Sequence, residues 1–154
     1  MATHALVRRG LWLPVRDGVD DPTAAALLNP GMAAWKTIVW EGELAAGQTV
    51  LVPGAAGTSG RIATRLAAQQ GARVVAAGRN QRVLDQLMPR GADATVRVNR
   101  PHEELAAAIA AERPYDLIVD YLWGAPAEAV FPALGQPELR AGDGPRCIRY
   151  VRSG

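Results

Sequence analysis

From residue 49 onward, short apolar runs alternate with stretches whose apolar positions recur at helical spacing. The run Thr49-Val50-Leu51-Val52 precedes a helical pattern over 58–70, in which Ile62, Leu66 and Ala67 share a face and Gly71 closes the helix. Residues 73–77 (RVVAA) lead to Asn80, an N-cap, and to a helix reaching about Met88, where Pro89 stops it. Residues 94–98 (ATVRV) lead through Pro101 into a helix over 102–111, and residues 116–123 (DLIVDYLW) into a weaker one around 126–134. Residues 146–151 (RCIRYV) read as a last strand. Strands that are apolar throughout, as at 50–52 and 117–119, suit the middle of a parallel sheet covered on both faces. Right-handed crossovers then put the first strand at the centre and a ligand crevice at the C-terminal strand ends.

Residues 1–48 break this rhythm. They offer an extended, proline-containing arm, a helix start at Asp21-Pro22, a break at Asn29-Pro30-Gly31 and a second helix through about Trp40. Trp35 and Val39 fall close to one face of that helix, as packing anchors. The chain thus divides into a lead-in, 1–48, and a domain of alternating strands and helices, 49–154, with 154 residues enough for one respectable core.

Composition narrows the partners. No stretch approaches the roughly 18 uncharged apolar residues of a membrane helix, and Met1-Ala2-Thr3-His4-Ala5 lacks a secretory start. The expectation is a cytoplasmic protein without a membrane partner. One cysteine, Cys147, excludes an internal disulfide and a multi-cysteine zinc site, and His4 and His102 have no ligand-like spacing, so no metal is expected. A net charge of +2 with scattered arginines argues against nucleic acid.

The glycine turn carries the candidate chemistry. In "LVPGAAGTSGRIATRL" (51–66), Gly54, Gly57 and Gly60 stand where strand becomes helix. Without a Cβ, Gly57 admits close backbone approach and Gly60 tight helix-strand packing, while the helix start aims amides at an anion. A Walker A loop would need Lys and then Ser or Thr after Gly60, where Arg61 and Ile62 stand; a nucleophile elbow would need glycine at 61. Ser59 therefore reads as an amide donor. In a dinucleotide site, the residue closing the second strand meets the adenosine ribose: an acid takes a 2′-hydroxyl, an arginine a 2′-phosphate. Here Gly78-Arg79-Asn80 closes the strand and Arg82 follows, with no acid in place, so NADP(H) is the expected cofactor.

These residues together are familiar. The segments "TVLVPGAAGTSGRIATRLAAQQGARVVAAGRN", "GADATV" and "YDLIVDYLWG", preceded by "TAAALLNPGMAAWKTI", resemble the cofactor domain of the medium-chain dehydrogenase/reductase superfamily, in its zinc-independent, quinone-oxidoreductase-like branch. The resemblance implies a Rossmann-like fold and places a pyrophosphate on Ala56, Gly57, Thr58, Ser59 and Gly60. It implies a 2′-phosphate contact at Arg82, supporting Arg79, and puts Tyr121, Leu122 and Trp123 where relatives line the adenosine and ribose. Ser153 and Gly154 fall where relatives touch the nicotinamide side. Family members add a mostly β catalytic domain and continue beyond the fifth strand, so the chain reads as a cofactor domain truncated at its C-terminus. A short-chain dehydrogenase would need Tyr-x-x-x-Lys, and Met32 precedes Lys36 at that spacing.

The expected cofactor-binding set is Gly54, Ala56, Gly57, Thr58, Ser59, Gly60, Arg79, Asn80, Arg82, Tyr121, Trp123 and Ser153. No dedicated acid or base is assigned, since the cofactor carries the chemistry; Asn29 and Tyr121 are the polar groups to watch near the nicotinamide. In the complete protein the reaction would be hydride transfer between NADPH and a carbonyl, enone or quinone. The alternatives are a non-catalytic module that binds or senses the nucleotide, and a fragment that self-associates, as a homodimer for instance, through its sheet edge at 146–151.

Overall fold

The computed structural model describes residue 4, residues 6–10, 12–124, 127, 128 and 130, and the strand at 146–149, in which 147–149 are described by backbone only. Helix α1 (Asp21–Trp35) runs on through a π-helical turn (Lys36–Trp40) into strand β1 (Thr49–Pro53). There follow α2 (Thr58–Gln69), β2 (Arg73–Gly78), α3 (Gln81–Asp85), a 3₁₀ turn (Met88–Arg90), β3 (Ala94–Arg97), α4 (His102–Ala110), β4 (Leu117–Asp120) and β5 (Arg146–Arg149). The five strands form one sheet in the order β3-β2-β1-β4-β5, parallel throughout, so β1 is central as the crossover rule requires. The predicted α/β class, strand number and helical lead-in are all present. Of the helix expected around 126–134, only 127, 128 and 130 are described; Ala127 and Glu128 donate to the Gly124 carbonyl.

Alternation along each strand assigns side chains to the two faces. Val50 and Val52 of β1, Val74 and Ala76 of β2, and Leu117 and Val119 of β4 pack with Ala63 and Ala67 of α2, Ala34 of α1 and Ile38 of the π turn. On the other face Leu51, Val75, Ala77, Val96 and Ile118 meet Leu105 and Ile109 of α4. Tyr115 is buried on that second face and donates to the Ile109 carbonyl at 2.8 Å; burial holds its phenol above the ordinary range. Burial on both sides is why the strands read as continuous apolar runs.

Three expectations of the lead-in and of α3 are corrected. Helix α1 does not break at Asn29-Pro30-Gly31 but runs through Pro30. A proline at 30 orphans the carbonyl of residue 26, and Ala26 is exposed, so water can satisfy that group. Trp35 is not a core anchor: it is exposed, and its ring meets Trp40 edge-on with centroids 6.0 Å apart, while small Ala33, Ala34 and Thr37 with Ile38 fill the contact. Helix α3 ends at Asp85, and Pro89 sits inside the 3₁₀ turn that follows. Its start agrees, with the Asn80 side chain accepting from the Val83 amide. The start of α1 is capped by Asp20, which accepts from the Thr23 amide at 2.8 Å; that bond holds the carboxyl below its usual value.

One buried side-chain oxygen among the described residues has no partner: the Thr64 hydroxyl, on α2. Replacing it with a methyl keeps the shape and removes an unsatisfied group. Thr64→Val is expected to raise unfolding stability by about 1–3 kcal/mol, read from the midpoint of urea denaturation at unchanged slope.

Candidate functional site

At the C-terminal ends of β1, β2 and β4 lies a cleft of about 570 Å³. Its floor is the turn between β1 and α2. Gly54 takes φ +85°, a left-handed conformation, and its absent Cβ would stand 3.1 Å from the Cβ of Tyr121. Gly60 is required by packing: a Cβ there would collide with the Gly54 carbonyl oxygen and lie 2.8 Å from its carbon. Gly57 differs from both. Its φ of −78° and ψ of 170° suit any residue, and a Cβ would meet nothing nearer than the Gly54 carbonyl oxygen at 3.4 Å. Nothing in the fold demands glycine at 57, so the room it leaves belongs to the cleft.

The amides of the turn divide in the same way. Gly54 and Ala55 both donate to the Ala77 carbonyl at 2.9 Å, and Gly57 donates to the Gly54 carbonyl at 2.9 Å. The Gly57 amide is thus turned inward, and its contribution is space. Thr58, Ser59 and Gly60 are the first three residues of α2, whose amides have no intrahelical acceptor, and no side chain caps that end. Partial positive charge therefore points into the cleft.

The walls come from β2 and β4. Gly78, Arg79 and Asn80 line one side, and Arg79 is the one charged side chain lining the cleft among the described residues. Asn80 spends its carbonyl oxygen on the helix cap, which leaves its NH₂ as the group it can offer outward. Tyr121 and Leu122 form the other side. Beneath them Asp120, only 5% exposed, accepts from the amides of Leu122 at 2.8 Å and Trp123 at 3.2 Å. That carboxylate holds Trp123 at φ +55°, unusual for a non-glycine residue. The Tyr121 phenol oxygen lies 2.8 Å from the Thr37 hydroxyl of the π turn.

Of the expected residues, Gly54, Ala56, Gly57, Thr58, Ser59, Gly60, Arg79, Asn80 and Tyr121 converge on this one cleft. Arg82, exposed on the first turn of α3, and Trp123, exposed beyond β4, are not among its lining side chains. Asn29 is exposed on α1, also outside the lining. Ser153 lies outside the described residues. Thr37 and Asp120 were missed. Asp120 could have been found as a carboxylate at a strand end two and three residues before amides it can cap. Among the described residues, no group of three His, Cys, Asp or Glu side chains could hold a metal, and no helix is long and apolar enough to cross a membrane.

No family model and no curated protein matches the sequence. Solved structures do match. An alcohol dehydrogenase superfamily protein from Novosphingobium aromaticivorans is 34% identical across 68% of this chain and 31% of its own, with a TM-score of 0.57. The quinone oxidoreductase from Thermus thermophilus, solved also in complex with NADPH, is 23% identical across 90% of this chain and 49% of its own, with a TM-score of 0.70. A mycobacterial protein complexed with NADPH is 20% identical across 89% of this chain and 48% of its own, at 0.73. The resemblance carried by the motifs therefore holds in the fold: the chain carries a domain of the medium-chain dehydrogenase/reductase type. It spans about a third to a half of the length of these relatives.

The two helix-start glycines should separate by mutation. Gly60→Ala is expected to cost about 3 kcal/mol or more, because backbone must move to admit the methyl group. Gly57→Ala should stay within about 0.5 kcal/mol of the wild type, since lost cap preference offsets reduced chain entropy. Paired thermal or denaturant melts check both, and equal losses would contradict the packing described.

Proposed function

We propose that the cleft binds NADP(H) and that the chain is the cofactor domain of an oxidoreductase. The observation that carries this reading is the space at Gly57 beside the uncapped amides of Thr58, Ser59 and Gly60. A pyrophosphate needs both features: backbone it can approach closely and donors with no other acceptor. The closing residue of β2 supports the phosphorylated cofactor. Among the described residues Arg79 lines the cleft and no carboxylate does, so a 2′-phosphate finds a bidentate cation there and an adenosine 2′-hydroxyl no acid. Arg82, one turn on, adds positive charge from α3 without lining the cleft.

When bound, the cofactor supplies hydride; this chain's residues bind and orient it. In a complete protein the hydride would pass to or from a carbonyl, enone or quinone without zinc, in the cytoplasm. The names of the matched structures, a quinone oxidoreductase and an alcohol dehydrogenase superfamily protein, support that class. In the division into a lead-in at 1–48 and a domain at 49–154, the residues that line the cleft belong to the second, and Thr37 of the first bonds to one of them, Tyr121. A second reading is a module that binds the nucleotide without turning over a substrate. Turnover of a simple quinone with NADPH separates the two.

Titration with NADPH and NADH at one fixed ionic strength, followed by energy transfer from tryptophan to nicotinamide, tests the cofactor. NADPH should bind several-fold tighter than NADH. Arg79→Asp should weaken NADPH by about tenfold or more while changing NADH little. Equal affinities, or an unchanged NADPH dissociation constant in the variant, would remove Arg79 from the site.

A further inference from the structure

A second cavity, of about 360 Å³, lies on the outer flank of α2, between that helix and the 3₁₀ turn that follows α3. Its floor is apolar: Leu87 is buried, and Ile62 and Leu66 are half-buried against the same core that α2 covers. Three guanidinium groups belong to its lining, those of Arg61, Arg65 and Arg90, and no carboxylate does among the described residues. Nor does any of the three form a salt bridge among those residues.

Both walls are built in advance of a ligand. Arg61 and Arg65 stand one turn apart on a single row of α2, a helix with no acidic residue along its length. The Arg61 Nε donates to the Ala56 carbonyl at 3.1 Å, which anchors that side chain and spends only one of its N–H donors. Opposite, the turn is closed on itself, the Leu87 carbonyl accepting from the amides of Arg90 at 2.9 Å and Ala92 at 3.0 Å. Pro89 stiffens it, and Gly91 lets it press onto α2, since a Cβ there would strike that of Ala68. Arg90 is thereby held across the cavity from Arg61 and Arg65.

We propose that this cavity binds a small amphipathic anion, a phosphomonoester or carboxylate on a hydrocarbon body. Like charges gathered without a counter-ion favour an anion, and a guanidinium meets phosphate or carboxylate with paired N–H donors. The floor of Ile62, Leu66 and Leu87 takes the hydrocarbon out of water. The volume equals that of on the order of a dozen water molecules, room for one molecule of metabolite size. No residue of this lining is shared with the nucleotide cleft, so the proposal stands independently of whether NADPH binds there.

The test is a titration of the whole, isotope-labelled chain with n-octyl phosphate, below its micelle concentration and at fixed ionic strength, read by backbone amide chemical shifts. The shifts should saturate and centre on Arg65, Leu66, Gln69, Leu87 and Arg90. Inorganic phosphate and n-octanol should each bind at least about tenfold more weakly, because each forfeits half of the site. Arg65→Gln and Arg90→Gln, at exposed positions where exchange leaves the fold intact, should each weaken n-octyl phosphate by about tenfold, the size of one charge-assisted hydrogen bond. Equally tight binding of n-octanol or of inorganic phosphate, wild-type affinity in both arginine variants, or shifts that do not saturate would each overturn the proposal. So would shifts centred on Gly78, Asn80 and Leu122, which put the probe in the cleft, or on Leu28, Met32 and Trp35, which put it on α1. Pelleting with phosphatidylglycerol vesicles, without saturable n-octyl phosphate binding, would assign a bilayer surface and overturn it as well.

Discussion

The architecture depends on how closely α2 approaches the end of β1. A single Cβ at Gly60 would strike the Gly54 carbonyl, so helix and strand meet backbone to backbone at that point. The approach fixes the direction of α2 relative to the sheet and leaves its first amides directed outward over the strand ends. It also sets the bend at Gly54, whose positive φ turns the chain away from β4 and makes room for the root of Tyr121. Packing and site are thus one arrangement: the contact that seats α2 on Val50 and Val52 is the contact that exposes its N-terminus.

Most of this was legible because it is local. Strand-glycine-helix punctuation, the Asn80 cap and the apolar strands are written within a few residues of where they act, and β1, β2, β4 and the start of α3 fall where periodicity put them. What failed was decided by surroundings. Pro30 and Gly31 carry a strong breaker signal, yet α1 continues because the helix is held by Ala34 against α2, and the orphaned carbonyl belongs to an exposed residue. Helical spacing marks Trp35 as an anchor, and the close approach of helices selects alanine instead. The Thr37 to Tyr121 bond spans 84 residues between elements of different type, and no spacing rule could have announced it.

Helix α1 has a further peculiarity. Its inward face is built from small residues, while Leu28 and Met32 are each 61% exposed, Trp35 is 49% and Trp40, on the π turn, is 67%. A helix apolar on all sides is ordinarily buried on all sides. The outer stripe recurs at helical spacing through 28, 32 and 35, so it is a face and not scattered residues. Its inner side is committed to α2, and through Thr37 the same segment reaches the cleft wall. Any body covering the outer stripe would press on an element one hydrogen bond from the site.

The electrostatics of the cleft follow from which charges are cancelled and which are left. Asp120, beneath the wall, spends its carboxylate on the amides of Leu122 and Trp123 and so stabilises the turn. The end of α2 contributes about half a positive charge from the floor, and Arg79 a whole one from the wall beside it. Neither source reaches far, since screening at 0.1 M salt has a length of about 10 Å and the helix-end effect fades within a turn. Both act on the same small volume from two different elements, so an anion carrying more than one phosphate group can be met by a helix start and by a guanidinium at once.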